Sequence, residues 1–252
     1  FRRYGKGRRL DQWRRDNLTD IVRYIYKGVK EIKPWVKVST CPVGKYKDTS
    51  RYSSRGWNAF HTVYQDPQGW LGEGIQDQIY PMMYFRQNNF YPFALDWQEQ
   101  CNGRQVIPGL GIYFLHPDEG NWIREDVDRQ INFIREHKLA GEAHYRAKYL
   151  MDNTQGIYDE LVENFYAHPA LQPAMPWLDS VPPSAPSGLK VISGKDGYTS
   201  LSWQAATDND KMNAPRYVVY ASDVYPVDTT RPENIIAQGI RGTEYIYAPL
   251  QP

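Results

Sequence analysis

A chain of 252 residues with 41% hydrophobic content is long enough to bury one large core or two smaller ones. Its formal net charge of +1 removes any whole-molecule argument for nucleic acid or an acidic membrane surface, and no run of about 20 apolar residues is present to span a bilayer. Two cysteines, Cys41 and Cys101, make neither a metal-binding spacing nor a disulfide framework and read as buried thiols. Aromatics are abundant for so polar a chain, with 20 Tyr and 8 Trp. A share of them must stand at the surface, where such rings either stack on sugar faces or close the rim of a core. The chain opens on Phe1-Arg2-Arg3-Tyr4 with no initiating Met and no signal peptide, which reads as an excised piece and leaves the compartment open.

Residues Phe1 to Arg15 carry seven Lys or Arg against Asp11 alone, the makeup of a basic loop leading into a helix. From Asp16 to Lys33, Leu18, Ile21, Val22, Ile25, Val29 and Ile32 recur at three- and four-residue steps. This predicts an amphipathic helix with that face on a core. Pro34 stops it, and Trp35 to Cys41 begins a strand. The polar stretch Lys45 to Arg55 is too long for a simple turn, and long loops inside α/β units tend to carry function. Trp57 to Trp70 reads as short helix broken at Asp66-Pro67. Gly72 and Gly74 then turn the chain into Ile75 to Phe85, a nearly continuous apolar run of the kind a strand buried on both faces shows. Tyr91 to Cys101 follows as a helix with Pro92 in its first turn and Asn102-Gly103 as its stop. Val106 to Leu115 is a further strand, and Arg124 to His137 is an amphipathic helix with Val127, Ile131 and Ile134 on one face. Leu139 to Tyr145 is the last strand, and Gln155 to Tyr166 is the closing helix. Strand and helix alternate as in a parallel α/β fold.

Composition changes at Pro169. Residues 169–184 hold Pro169, Pro173, Pro176, Pro182 and Pro183 and have the character of a linker. Beyond it Leu189 to Ile192, Thr199 to Trp203, Arg216 to Tyr220 and Tyr245 to Tyr247 alternate with period two and show no helical signal, which predicts a small β-sandwich. Pro183-Ser184-Ala185-Pro186, Leu201-Ser202-Trp203 and Tyr217-Val218-Val219-Tyr220 give residues 185–252 a resemblance to a fibronectin type III module. A complete module of that kind would need two more strands, so an incomplete all-β, immunoglobulin-like sandwich is expected here.

Four blocks carry a second resemblance: Asp11-Gln12-Trp13-Arg14-Arg15-Asp16-Asn17, Lys33-Pro34-Trp35-Val36-Lys37-Val38-Ser39, Asp77-Gln78-Ile79-Tyr80-Pro81-Met82-Met83-Tyr84 and Ala147-Lys148-Tyr149-Leu150. In these the chain resembles the glycosyl-hydrolase-like, family-10-like bacterial lipoproteins. It departs from them at Cys41-Pro42-Val43-Gly44, where the family usually has Ser-Pro-Phe-Gly, and at Phe85, where it often has Trp. The resemblance implies that residues 1–168 are the C-terminal half of a TIM-type (β/α)8 barrel. It also implies a glycoside hydrolase of a cell-wall or other polysaccharide, located outside the cytoplasm and held to the cell envelope by an upstream lipid anchor. The alternative is a non-catalytic, glycan-binding surface lipoprotein.

Glycoside hydrolysis normally uses two carboxylates facing one bond, and no strand end here carries such a pair. Asp77 and Glu142 stand at the starts of their strands, the face of a barrel that serves stability. The catalytic carboxylates are therefore expected largely in the missing N-terminal half. On the opposite face, where strand C-termini and helix N-termini meet, Arg14, Asn17, Tyr84, Tyr113, Trp122, Arg146 and Lys148 form the candidate substrate-binding set. Their rings would stack on sugars, and their cationic or amide groups would donate to hydroxyls or a carboxylate. Ordinary packing competes with that role at each position: Arg14 can pair with Asp11 or Asp16, and Lys148 can cap a helix. His116, Asp118, Glu119 and His144 match no metal-ligand spacing, so neither metal nor cofactor is expected. The expected partners are a polysaccharide or glycan substrate and, for the two open edges left by four βα units, the missing N-terminal half or an edge-paired dimer. Nucleic acid is not expected.

Overall fold

The computed structural model describes residues 1–194, 197–208 and 214–248. The chain divides into two compact units, Phe1–Leu161 and Val162–Pro252.

In the first unit α1 runs over Leu10–Ile32. It begins before the expected Asp16 because nothing between Leu10 and Arg15 breaks a helix; Arg14 and Arg15 are therefore helical rather than loop residues. Its apolar residues do not all face one core. Leu18, Val22 and Tyr26, spaced four apart, pack on Trp70 and Ile75, and the Trp70 indole N–H donates to Thr19 Oγ1 at 2.8 Å. Ile21, Ile25 and Ile32, expected on the same face, are 56%, 51% and 77% exposed. The helix thus carries two apolar arcs, and periodicity alone merges them into one. The second arc, with Tyr24, Gly28 and Val29, borders an open groove of about 410 Å³.

After α1 come β1 (Ser39–Thr40), α2 (Ala59–Thr62), α3 (Pro67–Glu73), β2 (Gln78–Ile79) and α4 (Tyr91–Glu99). Then follow β3 (Gln105–Val106), β4 (Gly109–Leu110), α5 (Arg124–Glu136), β5 (Ala143–His144), α6 (Ala147–Met151) and α7 (Ile157–Glu160). All strand pairs in this unit are parallel and follow chain order: β1 with β2, β2 with β3, and β4 with β5, while single bridges join Val43 to Met82 and Met82 to Gly109. The regular strands are shorter than the apolar runs predict, and three prolines explain why. Pro42, Pro81 and Pro108 interrupt successive staves, and none has an N–H to give to a ladder. Their carbonyls still accept, from Met82 N at 2.9 Å, Gly109 N at 2.8 Å and Ala143 N at 3.0 Å. The parallel register therefore continues past each break. Ile112–Leu115, read from sequence as strand, is a 3-10 turn, since a short apolar run does not distinguish a strand from a buried turn of helix. Among the described residues neither β1 nor β5 pairs along its outer edge.

The core of this unit lies between staves and helices. Ile79, Met83, Val106 and Leu110 of the strand segments are buried, as are Phe93, Ala94 and Trp97 of α4 and Val127, Ile131 and Ile134 of α5. The Trp97 indole N–H donates to Gly44 O at 2.7 Å. At Gly44 any Cβ would collide with the Met82 backbone, so the close approach of these two staves requires glycine.

The second unit holds β6 (Ser187–Ser193), β7 (Thr199–Gln204), β8 (Tyr217–Tyr220), β9 (Ile235–Ile240) and β10 (Glu244–Tyr247). They form two antiparallel sheets, β10-β7-β6 and β8-β9. The strand β9 was not among the sequence-derived strands, because Ile235-Ile236-Ala237 lacks the alternation that marks the others. Trp203 meets Tyr217 edge-on at 5.2 Å. Around this pair Leu189, Leu201 and Val219 line a cavity of about 230 Å³. The chain as a whole is a mixed α/β protein with some antiparallel sheet.

Asp77 is fully buried at the N-terminal end of β2. Its carboxylate lies 2.7 Å from Lys30 Nζ and 3.8 Å from Arg104 Nη1, and it accepts from Val38 N at 2.8 Å and Tyr26 Oη at 3.2 Å. Removing one partner of a buried ion pair strands the remaining charges. Asp77→Ala is expected to destabilise the unit by about 3–5 kcal/mol, read from urea unfolding midpoints; a change under about 1 kcal/mol would match a solvent-exposed pair instead.

Candidate functional site

Three staves end in tyrosine. Tyr84 follows the Met82 bridge, Tyr145 follows β5, and Tyr113 lies in the turn after β4. The rings of Tyr84 and Tyr145 stack with centroids 5.2 Å apart, and Tyr113 meets both edge-on at 5.8 and 5.7 Å. Backbone bonds hold the group in place: Tyr145 N donates to Leu110 O at 2.9 Å and Tyr113 N to Tyr145 O at 3.2 Å. Below it, a Cβ at Gly111 would come within 3.0 Å of Tyr84 Cβ and 3.3 Å of the Tyr113 ring, so glycine lets the tyrosines sit down on the backbone. Tyr145 is the outermost ring and is 47% exposed, while its inner face covers one face of Tyr84.

Burial pushes the Tyr84 hydroxyl up to about 12, with smaller contributions from Tyr145, Cys41 and Tyr113. Tyr113 is raised as well, first by burial and then by the charge of Glu119. At neutral pH both hydroxyls therefore keep their protons and can donate as well as accept. Beside the rings Arg146 Nη2 reaches Tyr149 Oη at 3.4 Å and Glu119 Oε1 at 3.5 Å, and Tyr149 Oη donates to Glu119 Oε1 at 2.9 Å.

The sequence-derived set divides on the structure. Tyr84, Tyr113 and Arg146 come together with two residues that set lacks, Tyr145 and Glu119. Tyr145 was legible as the last residue of a predicted strand, the same position Tyr84 holds near the end of its own. Trp122 is buried, with its ring centroid 5.0 Å from Phe114 and the Arg86 guanidinium 5.4 Å from its ring, so it packs the loop from beneath. Lys148 pairs with Asp152 one helical turn on. On α1, Arg14 lies over the Tyr64 ring at 4.7 Å and donates to its hydroxyl at 2.7 Å, rather than pairing with Asp11 or Asp16, and Asn17 is half-buried. None of the contacts of Tyr84, Tyr113 or Arg146 just described involves α1.

The long loop from Lys45 to Arg55 is tied down internally. Lys45 is buried and donates to Ser54 O at 2.9 Å and Asn89 Oδ1 at 2.7 Å, with its ammonium 4.7 Å from the Phe85 ring. Burial lowers its pKa. His116 Nδ1 faces Asp118 at 3.7 Å, while His144 lies on β5. Among the described residues no group of three His, Cys, Asp or Glu side chains converges as a metal site, and no helix is long and apolar enough to cross a membrane.

Comparison with known proteins supports a glycosidase-like family: residues 4–115 match the family described as Glycosyl hydrolase-like 10. The chain is 32% identical over 240 residues to Glycosyl hydrolase YngK of Bacillus subtilis (strain 168), covering 88% of this chain and 47% of that protein. It is also 29% identical over 135 residues to Glycosyl hydrolase DigH of Escherichia coli (strain K12), covering 50% of this chain and 31% of the relative. The chain therefore spans less than half the length of either relative. The 88% shared with YngK exceeds the first unit alone, so that similarity continues past Leu161.

His144 supplies a pH dependence. Burial holds its imidazole down at about 4, and Nε2 is buried without a hydrogen-bond partner in the described residues. The folded protein keeps this histidine neutral, whereas the unfolded chain protonates it near 6.5. Its contribution to stability is thus complete above pH 6.5 and lost as pH falls through about 4. In melting-temperature series from pH 7 to 4.5, His144→Gln is expected to lose less stability on acidification than the wild type. Parallel curves would remove His144 as a source of acid sensitivity.

Proposed function

We propose that this chain is the C-terminal part of a glycoside hydrolase that cleaves glycosidic bonds of a cell-wall or other polysaccharide. The observation that carries the proposal is the tyrosine wall at the strand C-termini. The exposed Tyr145 ring, backed by the half-buried Tyr84 and Tyr113 and with hydroxyl and guanidinium donors at its margin, suits the apolar face and hydroxyl rim of a sugar. The match of residues 4–115 to a glycosyl-hydrolase-like family and the names of the relatives support the same chemistry.

In this proposal the parallel staves form the second half of a TIM-type barrel, and the N-terminal half is the partner that covers the outer edges of β1 and β5. The exposed arc of α1 favours that partner over an edge-paired dimer, since a helix face needs cover as well as a strand edge. The second unit is a fibronectin type III-like module, and the protein works outside the cytoplasm on a lipid anchor. These assignments rest on the family resemblance.

One observation favours a second reading, a non-catalytic glycan-binding surface lipoprotein. Among the described residues the wall carries a single carboxylate, Glu119, where hydrolysis ordinarily uses two. Incubating the full-length protein with peptidoglycan glycan strands and with plant and host polysaccharides separates the two. Release of reducing ends is expected, and binding without release would leave the binder. In either case Tyr145→Ala is expected to weaken retention on the bound glycan by about tenfold, ~1.4 kcal/mol, with the melting temperature unchanged. Tyr84→Ala is expected to weaken it further, since it also removes the support for Tyr145. Full retention by both variants would return the rings to packing.

A further inference from the structure

We propose that Glu119 is the carboxylate this chain contributes to cleavage of the glycosidic bond, an inference that rests on the hydrolase reading above. Glu119 lies in the loop that follows the Ile112–Leu115 turn, beside Tyr113. The loop is built to hold it still. Glu119 N and Gly120 N both bond His116 O, at 3.1 and 3.0 Å, and Trp122 N bonds Phe114 O at 3.1 Å. Gly120 presses so closely on Phe114 that a Cβ there would come within 2.7 Å of the ring. Trp122 and Phe114 fill the space beneath.

The side chain is equally constrained on one side and open on the other. Oε1 accepts from Tyr149 Oη at 2.9 Å and faces Arg146 Nη2 at 3.5 Å. Both neighbours point donor groups at this oxygen and so fix the orientation of the carboxylate. The Glu119 side chain is 40% exposed, and its second carboxylate oxygen is not engaged by these contacts. Asp118, Asp126 and Asp77 lack this combination. Asp118 is 90% exposed and only faces His116. Asp126 is committed to Arg86 and to the N-terminus of α5. Asp77 is buried at the opposite end of the staves.

The chemistry follows from that placement. Glu119 either attacks the anomeric carbon of a sugar stacked on the wall or takes a proton from the water that attacks it. The bond from that carbon to the leaving sugar breaks, and the leaving oxygen takes a proton from a carboxylic acid supplied by the part of the protein outside this chain. One water is added across the bond in sum, after hydrolysis of the glycosyl ester where the attack is direct. Tyr149 and Arg146 act as positioning residues.

The test uses full-length wild type, E119Q, E119D and Y149F, with the polysaccharide the wild type cleaves. E119Q is expected to lower kcat by roughly 10²- to 10⁴-fold, with KM and glycan retention within a few-fold and the melting temperature unchanged. Y149F is expected to lower kcat by less than E119Q and to leave KM within a few-fold, the split expected of a positioning residue. Should E119Q be destabilised, E119D carries the comparison: it keeps the charge but withdraws it by one methylene, and a loss of kcat at wild-type stability supports the role. Wild-type kcat in E119Q, or a loss confined to KM, overturns the assignment of Glu119 alone. A wild type that releases reducing ends from no polysaccharide overturns the hydrolase reading on which it stands.

Discussion

The buried carboxylate of Asp77 is the point on which the first unit hangs. A charge with no solvent access is tolerable only when paired and fully hydrogen-bonded, and Asp77 draws four partners from three places in the chain. Lys30 and Tyr26 come from α1, the Val38 amide precedes β1, and Arg104 precedes β3. Its own backbone bonds Val38 O, and Gln105 N bonds Asp77 O. One residue therefore fixes α1 against the sheet and sets the register of three successive staves at their N-terminal ends. A one-residue slip in any of them would move the polar partner away and leave a charge in the core.

What that register controls lies at the other end. Tyr84, Tyr113 and Tyr145 are far apart in sequence, and they share a wall only because the staves run parallel and in step. The prolines contribute to the same end. Pro42, Pro81 and Pro108 cut the ladder short while their carbonyls keep the register. After Pro108 the chain keeps only the short strand β4 before it turns at Ile112–Leu115 into the loop that carries His116 and Glu119. The buried, paired Asp77 thus lies at one end of the parallel strands, and the tyrosines and the partly exposed Glu119 lie at the other.

The unpartnered features point in a consistent direction. Among the described residues the outer edges of β1 and β5 are unpaired, and Ile21, Ile25 and Ile32 form an exposed arc on α1. An unpaired strand edge and an uncovered apolar helix face are both surfaces on which further chain can pack. This chain spans less than half the length of either relative.

Much of this was determined by local sequence. The order of strands and helices in the first unit, the stops at Pro34 and Asn102-Gly103, the capped break at Asp66-Pro67 and the strand-rich character of the second unit all follow from periodicity and turn chemistry, which act over a few residues. Tyr84, Tyr113 and Arg146 were legible because they stand at or just beyond strand ends. Tertiary structure decided what depends on distant partners. It separated Leu18 and Val22 from Ile21 and Ile25, because burial is set by what Trp70 and Ile75 reach. It turned Ile112–Leu115 from strand into a 3-10 turn and took Trp122 into the core. It also gave Lys148 and Arg14 local partners and brought Tyr145, Tyr149 and Glu119 to one place. Sequence spacing carries no information about which side chains meet across four staves; only the register of the parallel sheet does.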